Sequence, residues 1–215
     1  VSYAVKEIYY TLQGEGAQAG RPAVFLRFTG CNLWTGLEKD RAKGPGGCSL
    51  WCDTNFVGTD GPNGGKFQTA DALAQRVYEQ WPQSGASAHP LVVCTGGEPL
   101  LQLDDALLAA LRQRGFSVAV ETNGTVLPPA GPLWLTVSPK ANAPLKLTRG
   151  HELKLVYPQI GAEPERFAHL DFRHFYLQPL DGPSRAENTE RALDYCLQNP
   201  QWRLSVQMHK VIGIP

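Results

Sequence analysis

The stretch from residue 91 to residue 124, LVVCTGGEPLLQLDDALLAALRQRGFSVAVETNG, reads as a single strand–helix–strand unit. Residues 91–95 form a short apolar, β-branched run, and 116–121 (FSVAVE) form a second. Between them Leu103, Leu107, Leu108 and Leu111 recur at helical spacing on one face, and Gly115 follows as a helix-ending glycine. Strand, helix and strand in that order imply parallel pairing through a right-handed crossover.

Outward from this unit the alternation continues. Further strand-like runs lie at 23–29, 133–137, 152–157, 173–178 and 203–207. Helical periodicity recurs in TADALAQRVYEQW (69–81) and RAENTERALDYCLQN (185–199), the latter with Ser184 and Glu187 spaced as a capping box. There are too few helices for eight complete βα units. Between 121 and 133, and again before 152, only connections rich in Pro, Gly and Asn occur. The expected fold is α/β, an abbreviated and incomplete βα barrel of partial TIM type.

Composition bounds the rest. The 215 residues, 42% of them apolar, suit one domain with one core, expected to span 1–215. No run is long enough to cross a membrane, and VSYAVKEIYY lacks the basic-then-apolar layout of a signal peptide, so a cytoplasmic protein with no membrane partner is expected. Twenty basic residues balance twenty acidic ones with no Lys/Arg block, which speaks against a nucleic-acid partner. Five cysteines are an odd number and too sparse for a disulfide scaffold; in a reducing compartment they are free to bind metal.

In a βα barrel the carboxyl ends of the strands converge on one mouth, where the chemistry sits. Here those ends read Thr95-Gly96-Gly97-Glu98-Pro99, Glu121-Thr122-Asn123, Ser138-Pro139-Lys140 and Gln178-Pro179-Leu180-Asp181. Any one of these could be turn chemistry. Together they imply a polar-lined site. Cys31, Cys48 and Cys52 sit in a polar, glycine-broken stretch, GCNLWTGLEKDRAKGPGGCSLWCDTNF (30–56), unlike packed core. A structural zinc site wants four closed ligands, and the nearest histidine in sequence is His89. A [4Fe-4S] cluster ordinarily takes four cysteines, so three leave one iron open for a ligand that is not protein. S-adenosyl-L-methionine, chelated there through its amino and carboxylate groups, is the reading favoured. A zinc-binding structural protein is the rival from another class. Cys94, in a strand, and Cys196, on a helix near Leu193 and Leu197, read as buried hydrophobes, and Trp34 and Trp51 read first as packing.

Cysteines after the first strand, Thr95-Gly96-Gly97-Glu98-Pro99 after the second, and an abbreviated barrel resemble the radical S-adenosylmethionine superfamily. TLQGEG (11–16), FLRFTGCNLW (25–34), CDT (52–54), VCTGGEP (93–99), ETNG (121–124), SPK (138–140), LQPLDGP (177–183) and the closing HKVIGIP together resemble the 7-carboxy-7-deazaguanine synthase family within it. The resemblance implies a radical lyase that contracts the ring of 6-carboxy-5,6,7,8-tetrahydropterin to 7-carboxy-7-deazaguanine, releasing ammonia, in queuosine and 7-deazapurine biosynthesis. S-adenosylmethionine would be regenerated and the difficult step carried by the cofactor, so no side chain is expected as catalytic. A flavodoxin- or ferredoxin-type reductant and a homodimer are further implications. A related radical activating enzyme acting on a protein glycine shares the cluster and the Gly-Gly-Glu loop, but leaves TLQGEG and the closing GIP without a role.

By the same resemblance, a cluster-binding insert at about 31–66 would carry the ligands Cys31, Cys48 and Cys52. Trp51, Asp53, Gly96, Gly97, Glu98, Ser138, Pro139, Lys140, Gln178, Pro179, Leu180 and Asp181 would surround S-adenosylmethionine. Gly96 and Gly97 would allow its ammonium a close approach to backbone, with Glu98 holding the loop. Leu12, Gln13, Gly14, Glu15, Thr95 and Glu121 would hold the pterin, with Arg27 taking the substrate carboxylate. Thr54 would ligate Mg²⁺, which prefers oxygen and keeps several waters, although CDTNF also reads as an Asp-Thr turn. A site-closing segment at about 208–215 would deliver Pro215, through its terminal carboxylate, to the pterin after the strand ending at Gln207. One departure stands out: three residues, not two, separate Cys48 from Cys52, with Gly44, Gly46 and Gly47 available to absorb the difference.

Overall fold

The computed structural model describes residues 2–44, 47–83 and 89–215. Gly46 lies outside the described residues. Among the described residues nine strands, including β1 (Tyr3–Leu12) and β3 (Gly65–Phe67), form one sheet in the order β3-β1-β2-β4-β5-β6-β7-β8-β9. From β2 (Pro22–Phe28) through β4 (Leu91–Gly96), β5 (Ser117–Thr122), β6 (Trp134–Val137), β7 (Arg149–Tyr157), β8 (Asp171–Pro179) and β9 (Trp202–Leu204), every neighbouring pair is parallel. The edge strands do not pair with each other, so the sheet is a partial barrel, as the sequence implies.

The strand–helix–strand unit over residues 91–122 forms as expected. Along α2 (Asp105–Gln113), Leu107, Leu108 and Leu111 pack into the core, and Leu103 just before it is buried as well. Asp104 caps the helix by accepting from Leu107 N at 2.9 Å, and Gly115 adopts a φ of +84° after its last turn. Thr69 caps α1 (Ala70–Gln80) in the same way. The third helix, α3 (Arg185–Gln198), starts at Ser184 without a side-chain cap, so the expected capping box with Glu187 does not form. The connections from β5 to β6 and from β6 to β7 carry no α-helix. The first runs through Pro128, Pro129 and Pro132, which cannot donate to a helical ladder.

Two strands escape the sequence reading. The strand β1 (Tyr3–Leu12) pairs antiparallel with β2, and β3 (Gly65–Phe67) pairs antiparallel with β1. A register shift between Val5 and Glu7 breaks the alternation of β1 and leaves Val5, Lys6 and Ile8 all buried, which hides the period-two signal. The last strand is also shorter than expected. It stops at Leu204, and residues 208–212 form a fourth helix, α4, ended by Gly213 at φ +73°. No helix among the described residues is long and apolar enough to cross a membrane.

Candidate active site

An incomplete barrel leaves a lateral gap, and here the loop after β1 closes it. Gly16 N donates to Ser205 Oγ just past β9 (2.9 Å), Ala17 N to Glu152 Oε2 on β7 (2.9 Å), and Met208 N to the carbonyl of Gly14 (3.0 Å). The glycines of GEG fit this crossing. A Cβ on Gly16 would meet Glu152 Oε2 at 2.1 Å with φ at +65°, and one on Gly14 would meet His209 Nδ1 at 2.4 Å. Glu152 is itself fixed, since Trp134 Nε1 also donates to it. Gly16→Ala is therefore expected to destabilise the protein by roughly 1–3 kcal/mol through strain at positive φ and a displaced carboxylate. Urea unfolding checks this; a midpoint equal to that of the parent would show that the loop yields freely.

Behind this loop, at the carboxyl ends of the parallel strands, lies a cavity of about 430 Å³. All three clustered thiols line it, together with Trp51, Asp53, Thr54, Thr95, Gly96, Gly97, Ser138, Lys140 and Gln178. So do Leu12, Gln13, Glu15, Arg27, Glu121 and Pro215. Cys94 is fully buried among apolar groups, and burial pushes its thiol up to about 12. Cys196 is half-buried against the core, whereas Leu193 and Leu197 beside it are exposed rather than packed. Neither thiol reaches the cavity. Trp34 packs edge-on to Phe56 and also lines the cavity, with its buried Nε1 unpartnered among the described residues.

Six of the expected site residues stand off the lining: Gly14, Glu98, Pro139, Pro179, Leu180 and Asp181. Glu98 is wholly buried, and its carboxylate accepts from Leu100 N, Thr122 Oγ1 and Asn123 N at 2.8–3.0 Å, so it staples the Gly-Gly-Glu loop to the end of β5. Gly96 and Gly97 have a reason beyond ligand approach. Added Cβ atoms would meet the carbonyls of Phe28 and Gly30 at 2.3 and 2.1 Å, so these glycines seat the loop directly against the segment carrying Cys31. The carboxylate of Asp181 accepts from Lys210 instead of facing the cavity.

The donor set suits a sulfur-bound cluster. Cys31, Cys48 and Cys52 are free thiols, with Cys52 N donating to the Cys48 carbonyl at 2.8 Å in the short helical turn Gly47–Leu50. Burial raises the Cys31 thiol and pushes Cys48 up to about 11, and Lys140 opposes this at Cys48. Burial lowers the Lys140 ammonium while the thiols raise it, as befits a cation beside groups that become anionic on metallation. Among the described residues no three His, Cys, Asp or Glu groups close around a single metal ion. Ligands to a four-iron cluster must stand farther apart than those of one ion. Gln178, buried at the lining, has an Oε1 without a partner, which a bound ligand can supply.

Beside the expected Glu15, Glu121 and Arg27, the lining holds a charge that the sequence reading did not foresee, Lys154. Lys154 is 4% exposed and donates to Glu15 Oε2 at 2.5 Å and Glu121 Oε2 at 2.8 Å. One ammonium thus serves two carboxylates. Burial works against ionising Glu15, yet Lys154 overcomes it and holds the group down to about 2; at Glu121 burial prevails and the pKa rises. Gln13 Nε2 donates to Glu121 Oε1 at 3.2 Å, and Gln207 Nε2 to Glu15 Oε1 at 3.1 Å. Arg27 donates from Nε to Glu7 Oε1 (2.7 Å) and from Nη2 to the Tyr9 hydroxyl (3.0 Å), so it is ion-paired at the lining rather than isolated among apolar neighbours. A signal for Lys154 existed: in ELKLVY, Glu152, Lys154 and Val156 alternate with buried Leu153 and Leu155, which puts the lysine on the inner face.

No family model matches the chain. A 7-carboxy-7-deazaguanine synthase of Caulobacter vibrioides is 64% identical over 215 residues, covering the whole of both chains. The protein of the same name from Burkholderia multivorans is 57% identical over 215 residues, again with full coverage of both. Among solved structures, the crystal structure of QueE from Escherichia coli superposes with a TM-score of 0.70 at 29% identity, covering 97% of this chain and 95% of that one.

Proposed function

The chain belongs to the 7-carboxy-7-deazaguanine synthase family, and we propose on that footing that its cavity converts 6-carboxy-5,6,7,8-tetrahydropterin to 7-carboxy-7-deazaguanine and ammonia. It is an enzyme, a radical S-adenosylmethionine lyase. The observation that carries the reading is one cavity lined at once by the three clustered thiols and by Gln13, Glu15, Arg27 and Glu121. Neither rival accounts for that pairing: a structural zinc site has no use for the polar wall, and an activating enzyme has no use for a gap closed by GEG.

Cys31, Cys48 and Cys52 would hold a [4Fe-4S] cluster, with Gly96, Gly97, Ser138, Lys140 and Gln178 around S-adenosylmethionine. When bound, the pair supplies a one-electron cleavage that yields a 5′-deoxyadenosyl radical. The protein's share is placement and charge. Glu15 stays an ionised acceptor for pterin N–H groups, and Glu121, whose pKa burial raises, would accept beside it. Lys154 holds both at fixed positions. The half-buried Arg27 guanidinium, already oriented by Glu7 and Tyr9, would take the substrate carboxylate at the cavity wall. Thr54 would give its hydroxyl to Mg²⁺ beside that carboxylate. A cytoplasmic setting, a flavodoxin- or ferredoxin-type reductant and a homodimer belong to the same proposal.

Two outcomes follow for single residues. Arg27→Ala should raise the KM for the pterin about ten- to a hundredfold, the worth of one charge-assisted contact; an unchanged KM would leave Arg27 as a structural partner of Glu7. Thr54→Ala should abolish stimulation by Mg²⁺ while iron and sulfide content stay the same, and undiminished stimulation would assign Thr54 to the turn alone. The function itself is tested by reconstituting the enzyme anaerobically and supplying S-adenosylmethionine, reductant, Mg²⁺ and the carboxytetrahydropterin. A product with the absorbance and mass of 7-carboxy-7-deazaguanine is expected. Cleavage of the cofactor without that product would sink the substrate assignment.

A further inference from the structure

Helix α4 (Met208–Ile212) has five residues and buries none of them, with Val211 69% and Ile212 53% exposed. A helix so short is not stable by itself, so polar anchors must hold it in place. Those on the pterin side are hydrogen bonds rather than side-chain ion pairs. Met208 N donates to the Gly14 carbonyl (3.0 Å), Gln207 Nε2 to Glu15 (3.1 Å), and Thr11 Oγ1 to a terminal oxygen of Pro215 (3.0 Å). On the other side stands an ion-paired anchor at the edge of the cavity lining. Lys210 Nζ donates to Asp53 Oδ2 and to Asp181 Oδ2, each at 2.6 Å. Asp53 lies between Cys52 and Thr54, and Asp181 follows β8, so two separate loops of the cofactor side meet on one ammonium.

We propose that Lys210 is a positioning residue that ties the 208–215 segment, through Asp53 and Asp181, to the cofactor-side loops and so sets the affinity of the cavity for its pterin. An exposed pair between two side chains contributes little to stability. This contact differs in serving two carboxylates from independent loops and in being the charged anchor of a helix without a buried face. His209 packs against Gly14, and Glu15 is reached through Gln207, so a displaced α4 disturbs the wall that faces the substrate while leaving the three thiols where they are. The inference rests on the function proposed above for the identity of the substrate, and on geometry alone for the hold on α4.

The test compares Lys210→Met and Lys210→Arg with the parent as reconstituted holoenzymes, using hydrogen exchange of the 208–214 amides and steady-state kinetics. Lys210→Met is expected to exchange these amides at least about tenfold faster and to raise the pterin KM about tenfold, with kcat within about threefold and iron content unchanged. Lys210→Arg should recover most of the KM and the protection, because it keeps the charge. Unchanged exchange in Lys210→Met would overturn the proposal, as would faster exchange with an unchanged KM or a loss confined to kcat. If the parent itself fails to turn over the pterin, the function assignment fails, and the exchange comparison still decides whether Lys210 holds the helix.

Discussion

Cys31→Ala, Cys48→Ala and Cys52→Ala are each expected to bring reductive cleavage of S-adenosylmethionine down to the rate given by the reductant alone, whereas Cys94→Ala and Cys196→Ala keep the parent rate. Three thiols line the cavity and two do not, so the five cysteines divide by position. A cluster with three protein ligands loses a bond to iron with any one of them, and no other cysteine is near enough to the cavity to replace it. Truncating the buried Cys94 leaves a small void costing roughly 1 kcal/mol, which lowers stability without touching the cluster. Release of 5′-deoxyadenosine, read beside iron and sulfide content, separates the two groups. Parent-like cleavage in any of the three cavity variants would remove that cysteine from the ligand set.

Lys154→Met is expected to lower stability at neutral pH by about 2–4 kcal/mol, because it leaves two largely buried carboxylates without their cation. In the parent, Glu15 is held down to about 2, below its ordinary 4.5. Its contribution is therefore complete above the ordinary value and lost as pH falls toward 2. Without Lys154 the sign reverses. Burial then raises both Glu15 and Glu121, the folded protein binds protons more readily than the unfolded chain, and the deficit shrinks as pH falls. Urea midpoints at about pH 7 and about pH 5 read this directly. A deficit that stayed constant between them would mean that Lys154 acts by packing and not by charge.

The parallel half of the sheet was legible because its signals are local. LVVC and FSVAV are apolar or β-branched runs next to Gly or Pro, LKLV alternates apolar residues around Lys154, and α2 carries its own stripe and caps. The strand ends named the cofactor side of the cavity for the same reason, since small and polar residues follow each run. What escaped depends on distant partners. The bulge in β1 makes sense only against β2, and GEG looks like a turn until Glu152 and His209 stand beside it. Lys154 read as one charge in a strand, yet its role comes from Glu15 and Glu121, which lie 139 and 33 residues away. Helix α4 buries nothing, so it leaves no apolar period to detect. Asp53 and Asp181 read as cofactor neighbours, and the structure gives both of them first to Lys210.

The central claim is that the cavity performs a ring contraction in which S-adenosylmethionine is regenerated rather than spent. The most direct measurement supplies the reconstituted enzyme with the carboxytetrahydropterin in large excess over S-adenosylmethionine, and quantifies 7-carboxy-7-deazaguanine, ammonia and remaining S-adenosylmethionine in the same anaerobic sample. The account predicts product well beyond the S-adenosylmethionine present, ammonia equal to product, and S-adenosylmethionine largely intact. Product that never exceeds the S-adenosylmethionine consumed, or none at all from an enzyme that still cleaves it, would contradict the account.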